Sequence, residues 1–219
     1  MAHIFLIGAT GGIGARLLPM LIAAGHEVTA LHRTPEQAAK LTAQGASPVL
    51  GDMMELTAQD LTPMIEGHDI VIFSAGAAGS GLDRTSRIDG EGPREVMAAM
   101  GRAGVDRFYL VSAFPEAGRW KEPNPNFEHY MRVKKEADAA VVRSALSWVI
   151  LRPGTLVTED EDGRIAAGLA LPYGTVKRGN VARALATLVD MPDIRHELIE
   201  LTDGESPPLE ALQALRRSA

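Results

Sequence analysis

The chain has 219 residues, of which 46% are hydrophobic and 23% charged, and its formal net charge is −6. These values predict one globular domain over residues 1–219, and the acidic balance without a basic tract argues against a nucleic-acid partner. The absence of cysteine excludes disulfides, a thiolate nucleophile and a cysteine-ligated zinc site. No signal peptide and no apolar run near the ~20 residues that span a bilayer are visible, so we expect a cytoplasmic protein without a membrane partner.

The first predicted element is an apolar strand that leads into a glycine-rich turn. Residues 4–14 read IFLIGATGGIG, and an apolar pattern with helical spacing follows. Such a strand–turn–helix unit directs backbone N–H groups and the positive end of a helix at one place. Glycine is needed there because a Cβ would block a pyrophosphate or forbid a positive φ. We predict that this turn binds a dinucleotide, although an ordinary tight turn is the alternative. The predicted contacts are Gly8, Thr10, Gly11, Gly12, Ile13 and Gly14.

Strand and helix patterns alternate over the next sixty residues. Strands are predicted at 27–32, 48–50 and 69–73, and helices from 13, at 36–43 and around 61–65. This β-α-β-α order predicts a Rossmann-type α/β fold, a doubly wound parallel sheet flanked by helices on both faces.

The residues that follow the second and third strands bear on the choice of nucleotide. His32 is followed by Arg33 and Thr34, with no acid where NAD-binding units hold the ribose 2′-hydroxyl. The Arg33 guanidinium can fork onto a 2′-phosphate and Thr34 adds a donor, which favours NADP, with NAD as the alternative. After the third strand, Asp52 and its neighbour Met53 are predicted near the adenine, although Asp52 also suits an Asx turn.

A second glycine-rich stretch, SAGAAGSG at 74–81, follows the fourth strand. It lacks the ending of a nucleoside-triphosphate loop, but its place predicts cofactor contacts from Ala75 and Gly76. Later elements are predicted as helices at 88–101, 127–144 and 180–190 and strands at 107–112, 147–151 and 197–201. An irregular segment, 113–126, contains Trp120 and has the length of a functional loop. Residues from about 155 to 219 are expected to contribute a small C-terminal cap over the substrate end of the sheet.

Two residues on the predicted helix at 127–144 suit proton transfer. Tyr130 and Lys134 are four residues apart and so share one helix face. The Lys134 ammonium is expected to lower the pKa of the Tyr130 phenol towards neutrality. Ser112, at the end of the fifth strand, can hydrogen-bond the same substrate oxygen. A solvated helix face with no catalytic role is the alternative.

Other chemistry has little support in the sequence. The histidines lack ligand spacing, and the acidic turn at 159–162 is interpreted as solvated, so we predict no metal site. The serines lie in no nucleophile-elbow motif, which argues against a hydrolase.

Several of these segments together resemble one family. They are GATGGIG at 8–14, Gly51-Asp52, Ser112, Tyr130 with Lys134, LRPG at 151–154 and RGNVA at 178–182. The chain resembles an atypical short-chain dehydrogenase/reductase of the sugar-epimerase-like or NmrA-like kind. The resemblance implies that the glycine turn holds the pyrophosphate, that Tyr130, Lys134 and Ser112 perform the chemistry, and that Pro153, Gly154 and Thr155 line the nicotinamide side.

The expected activity is therefore NADP(H)-dependent hydride transfer at a carbonyl or alcohol carbon of a small molecule, or an epimerisation that includes it. The protein would act as a monomer or homodimer. A non-catalytic NADP(H) sensor and a flavin or quinone reductase are the alternatives. The asparagine of the classical enzymes has no clear match. Asp89 stands in its region but is interpreted as a charge at a helix N-terminus, and Asn180 as a helix cap.

Overall fold

The structure, a computed structural model, describes residues 1–119 and 122–216. Trp120, Lys121 and the last three residues therefore lie outside the described part. The strands are β1 His3–Ile7, β2 Glu27–His32, β3 Ser47–Leu50, β4 Ile70–Phe73, β5 Arg107–Val111, β6 Ser147–Pro153, β7 Thr155–Val157, β8 Ile165–Gly168, β9 Thr175–Lys177 and β10 Glu197–Asp203. The helices are α1 Gly14–Ala23, α2 Glu36–Ala43, α3 Ala58–Ile65, α4 Leu82–Arg84, α5 Gly92–Ala103, α6 Pro125–Val142, α7 Arg178–Val189 and α8 Pro208–Gln213.

The main sheet has the strand order β3-β2-β1-β4-β5-β6-β10-β8. All neighbouring strands in it are parallel except β10 and β8. This confirms the predicted Rossmann-type fold. Because β1 lies between β2 and β4, the strand order reverses there, and a crevice opens at the carboxyl ends of β1 and β4 where such sheets bind ligands.

Strand β1 shows why the apolar run folds into the middle of this sheet. Ile4 and Leu6 face the core formed with α1 and α7, whereas Phe5 and Ile7 face the core formed with α3 and α5. All four side chains are fully buried. A strand covered on both faces needs apolar residues at every position, which is the pattern in the sequence.

The segment after β4 differs from its prediction. One helix is predicted at 88–101, but the chain forms the short α4, then a π-helical segment, Thr85–Glu91, and then α5. Pro93, near the start of α5, has no N–H to donate into the preceding turn. The wider π-helical turns bury Asp89, which is 1% exposed.

The C-terminal segment mostly extends the main sheet. Strand β10 pairs with β6 and β8 pairs with β10, while β7 and β9 form a separate two-stranded sheet. Strands β7, β8 and β9 have only three or four residues each, too few for a clear alternating pattern. The part of this segment that could cover a substrate is thus smaller than expected, and its role as a cap stays a prediction.

Asn180 does not cap α7, contrary to the prediction, because that helix already begins at Arg178. Its side-chain amide donates to Asp162 Oδ1, Asp203 Oδ1 and the Arg164 carbonyl, and its oxygen accepts from the Gly163 N–H. Asn180 is fully buried, and its hydrogen bonds join the acidic turn to β10 and α7.

Among the described residues, no helix combines the length and apolar character needed to cross a membrane.

Gly14 and Gly101, both in helices, give a matched test of how closely a helix packs on its neighbours. A Cβ on Gly14 would lie 2.1 Å from the Gly8 carbonyl oxygen, whereas a Cβ on Gly101 would meet nothing within 4 Å. We expect Gly14→Ala to destabilise the fold by about 1–3 kcal/mol through overpacking. Gly101→Ala should stabilise it by about 0.5–1 kcal/mol through helix propensity. Urea unfolding measures both, and changes of the same sign would contradict this account.

Candidate functional site

A cavity of about 780 Å³ lies at the carboxyl ends of the central strands. It extends from the ends of β1 and β2 to the end of β5 and the first turns of α6. The predicted site residues that line it are Gly8, Thr10, Gly11, Gly12, Ile13, Arg33, Asp52, Met53, Ala75, Gly76, Ser112, Tyr130 and Lys134. Gly14, Thr34, Pro153, Gly154 and Thr155 are not among its lining residues. The two halves of the predicted site thus share one cavity.

The glycine turn has the shape of a phosphate cradle. Gly8 has φ +91°, and a Cβ there would lie 2.6 Å from the Ala75 nitrogen. The Gly11 N–H closes the turn onto the Gly8 carbonyl at 2.9 Å. Within the described part of the chain, the N–H groups of Gly12 and Ile13 donate to no protein acceptor. These two donors, next to the start of α1, fit a cofactor pyrophosphate.

Gly14 has a packing role, and its predicted cofactor contact stays a prediction. It is buried against the Gly8 carbonyl and does not line the cavity. Its missing Cβ therefore allows α1 to pack closely on the turn.

After β2, Arg33 forms no ion pair with any carboxylate among the described residues. Arg33 is exposed and lines the cavity, while its backbone N–H donates to Gln37 Oε1 at 3.1 Å. The Thr34 N–H donates to the same oxygen at 3.3 Å, and its carbonyl accepts from His32 Nδ1 at 2.9 Å. These contacts hold the Thr34 backbone within the β2–α2 turn. The contact of its side chain with a 2′-phosphate stays a prediction. Sequence reasoning missed Gln37, which lines the cavity.

Asp52 forms the predicted Asx turn, and its contact with the adenine stays a prediction. Its Oδ1 accepts from the Met54 N–H at 2.9 Å, as in an Asx turn, and the residue also lines the cavity.

The Lys134 ammonium lies at the centre of the other half of the site. Its Nζ donates to the Val111 carbonyl at 3.0 Å and lies 3.3 Å from Asp89 Oδ1. Asp89 Oδ2 accepts from the Ala77 N–H at 2.9 Å. Lys134 is 4% exposed and Asp89 1%, so Asp89 is a buried counter-ion. The interpretation of Asp89 as a charge at a helix N-terminus was wrong because the π-helical segment directs its side chain inward.

The pKa of the Tyr130 phenol is higher than the sequence predicts. Burial raises its pKa above the ordinary value of 10.0, and the charge of Lys134 opposes this without outweighing it. Negative charge on Asp89 and Asp138 raises the pKa further. The Lys134 Nζ is 5.9 Å from the centre of the Tyr130 ring. The expected net lowering of the pKa was therefore wrong.

Ser112 lies beside a buried ion pair that sequence reasoning missed. Asp138 Oδ2 accepts from Arg152 Nε at 2.9 Å and lies 2.8 Å from an Arg152 terminal nitrogen. Burial raises the pKa of Asp138, whereas the nearby Ser112 hydroxyl and Arg152 act in the opposite direction. Neither Ser112 Oγ nor Asp138 Oδ1 makes a hydrogen bond of ordinary geometry to a described group. The four-residue spacing of Tyr130, Lys134 and Asp138 was the available signal.

The LRPG segment, residues 151–154, packs next to the cavity and does not line it. A Cβ on Gly154 would lie 2.2 Å from the Gly174 carbonyl oxygen, and Thr155 Oγ1 hydrogen-bonds the Tyr173 hydroxyl. Pro153 ends β6, and its carbonyl accepts from the Phe114 N–H at 3.2 Å. The contacts of Gly154 and Thr155 join β6 to the β7–β9 sheet. Contacts of Pro153, Gly154 and Thr155 with the cofactor stay a prediction. The neighbouring Leu156 lines the cavity instead.

The Asp89–Lys134 pair permits a stability test. We expect Asp89→Asn to destabilise the fold by about 3–5 kcal/mol, because it leaves a buried ammonium without its counter-ion. The double variant Asp89→Asn with Lys134→Met should regain part of that loss. Chemical unfolding of the two single variants and the double variant gives the coupling, and additive losses would contradict a direct pair.

Comparisons with known proteins agree with this site. A family model described as NAD(P)H-binding matches residues 8–192. A Bacillus subtilis protein named uncharacterized sugar epimerase YhfK is 35% identical over 216 residues, 97% of this chain and 99% of that protein. A solved structure of a candidate NAD-dependent epimerase/dehydratase from Bacillus halodurans has a TM-score of 0.89 at 29% identity, covering 98% of this chain and 100% of the other.

A second solved structure is ChuY, an anaerobillin reductase from Escherichia coli O157:H7. Its TM-score is 0.77 at 26% identity, over 94% of this chain and 99% of that one. The chain belongs to the NAD(P)H-binding family, among the atypical short-chain dehydrogenase/reductase proteins of the epimerase-like and NmrA-like kind.

Proposed function

We propose that this protein is an NADP(H)-dependent oxidoreductase that transfers hydride at a carbonyl or alcohol carbon of a small molecule, alone or within an epimerisation. The observation that carries the proposal is that Ser112, Tyr130 and Lys134 line the same cavity as the glycine turn. The relatives named as a sugar epimerase and as a reductase support redox chemistry on a small molecule.

The cofactor would be held by groups at both ends of the cavity. The free N–H groups of Gly12 and Ile13 suit the pyrophosphate, and Lys134 suits a ribose hydroxyl. Arg33, with no acid beside it after β2, favours the 2′-phosphate of NADP(H) over NAD(H). When bound, the nicotinamide supplies or accepts the hydride.

The raised pKa of Tyr130 favours the reductive direction. A phenol that keeps its proton at neutral pH can donate it to a carbonyl oxygen while the carbonyl carbon receives the hydride. The carbon gains a C–H bond and the oxygen an O–H bond, which completes a two-electron reduction to an alcohol. The Lys134 ammonium then stabilises the phenolate that remains. Ser112, whose buried hydroxyl makes no hydrogen bond of ordinary geometry to a described group, orients the substrate oxygen.

Partners and compartment follow from the same proposal. We expect a small-molecule substrate, no nucleic acid and no membrane partner, and a cytoplasmic monomer or homodimer.

Removing the Tyr130 hydroxyl tests the acid role. We expect Tyr130→Phe to lower kcat for carbonyl reduction by about 10²–10⁴-fold, the usual contribution of a positioned acid. The Kd for NADPH should stay unchanged, since the ring that packs near Lys134 is retained. NADPH oxidation is followed with a panel of aldehydes, ketones, quinones and flavins.

The panel also separates the alternatives. Turnover of a flavin or quinone that Tyr130→Phe leaves intact would indicate a reductase that needs no protein acid. Tight NADPH binding with no turnover of any compound would contradict catalysis and favour a sensor.

The pH dependence of reduction gives a second test. Because the acid must be protonated, activity is lost as pH rises through the pKa of Tyr130, which burial holds above 10.0. We expect the single-turnover rate of carbonyl reduction to stay flat between about pH 6 and 9. A fall centred near neutral pH, absent in Tyr130→Phe, would show that the phenol has a lowered pKa and would contradict this direction.

A further inference from the structure

Arg178 lies on the glycine turn although it is more than 160 residues away in the chain. It is the first residue of α7 and lines the cavity. A Cβ on Gly12 would lie 2.7 Å from Arg178 Cδ and 2.8 Å from its Nε. The side chain therefore packs directly against the Gly12 backbone, beside the two free N–H groups of the turn.

The charge of Arg178 has no partner of opposite sign in the described part of the chain. A terminal nitrogen donates to Thr158 Oγ1 at 2.9 Å, and no carboxylate within 4.0 Å pairs with it. Arg183, on the same helix, pairs with Glu161 Oε1 at 3.3 Å. In a chain of net charge −6, an unpaired guanidinium at the mouth of a phosphate cradle points to an anionic ligand.

We infer that Arg178 binds the cofactor pyrophosphate together with the N–H groups of Gly12 and Ile13. A guanidinium matches phosphate oxygens through two parallel N–H donors, and partial burial against the turn reduces the motion it must lose. This inference rests on the proposed use of NADP(H), and it concerns binding and not the hydride step.

The location of Arg178 gives this contact a specific consequence. The pyrophosphate is common to NADPH and NADH, whereas only NADPH carries the 2′-phosphate that Arg33 is proposed to recognise. Arg178 should therefore contribute equally to the affinity for both nucleotides. Because it joins β9 to α7, its contact would also tie the C-terminal segment to the bound cofactor.

Nucleotide binding by calorimetry tests the inference without any substrate. We expect Arg178→Met, which keeps the aliphatic stem, to raise the Kd for NADPH and for NADH by the same factor, about 10- to 100-fold. Arg33→Met should raise the Kd for NADPH alone. Arg183→Met removes the same charge from the same helix and should leave both values within about twofold, as expected outside a binding site. Thermal unfolding of each variant shows whether the fold is kept.

The outcomes separate this inference from the proposed catalysis. Equal losses for both nucleotides in Arg178→Met, with little change in Arg183→Met, support the pyrophosphate contact whether or not any substrate is turned over. Unchanged affinity in Arg178→Met would overturn it. A loss confined to NADPH would also overturn it, because Arg178 would then recognise the 2′-phosphate. A wild-type protein that binds neither nucleotide would overturn it together with the cofactor assignment.

Discussion

The structure depends on one buried contact, the pairing of the Lys134 ammonium with Asp89 and the Val111 carbonyl. It joins three elements that are distant in the chain: α6, the π-helical segment Thr85–Glu91 and the end of β5. Taking both charges out of water is costly, so the pair persists only with good geometry and further hydrogen bonds. The Ala77 N–H, bound to Asp89, supplies one of them and fixes the loop after β4. The same contact therefore positions Tyr130 and shapes the wall of the cavity.

This arrangement has a chemical consequence that differs from the simple effect of a lysine near a tyrosine. The Lys134 ammonium lowers the pKa of Tyr130, but burial of the phenol raises it by more, and the charges of Asp89 and Asp138 raise it further. The phenol thus keeps its proton at neutral pH, so the protonated form is the one present in the site. Lys134 would contribute most after the proton has left, when a phenolate needs stabilisation. We propose that a site of this kind is suited to reduction, with Tyr130 as the proton donor.

The sequence predicts the features that depend on local pattern. The continuous apolar run of β1 and the glycines that follow it locate the strand, the turn and the cradle, since their spacing has few other structural explanations. Arg33 and Ser112 are found because the ends of parallel strands meet at one edge of a sheet. The four-residue spacing places Tyr130 and Lys134 on one helix face, and both line the cavity.

Other features depend on contacts between distant residues. The burial of Asp89 follows from a π-helical turn and from an ammonium 45 residues later, and nothing in its local sequence reveals either. Gly154 packs against Gly174 and Thr155 begins β7, and the strands β7 and β9 are too short to show a pattern. Arg178 contacts the glycine turn only because α7 packs beside α1 in the same core. The net pKa of a side chain likewise depends on how deeply it is buried. The spacing of residues in the sequence does not reveal that burial.

A crystal structure of the protein with bound NADP⁺ tests the central claim most directly, that one cavity brings the cofactor to Ser112, Tyr130 and Lys134. We predict that the pyrophosphate lies on the N–H groups of Gly12 and Ile13 and that the nicotinamide lies at the Tyr130 end. A substrate carbon could then approach the nicotinamide C4 to about 3–3.5 Å while its oxygen contacts the Tyr130 hydroxyl. A nicotinamide directed into solvent, or a dinucleotide bound in the reverse orientation, would contradict the account.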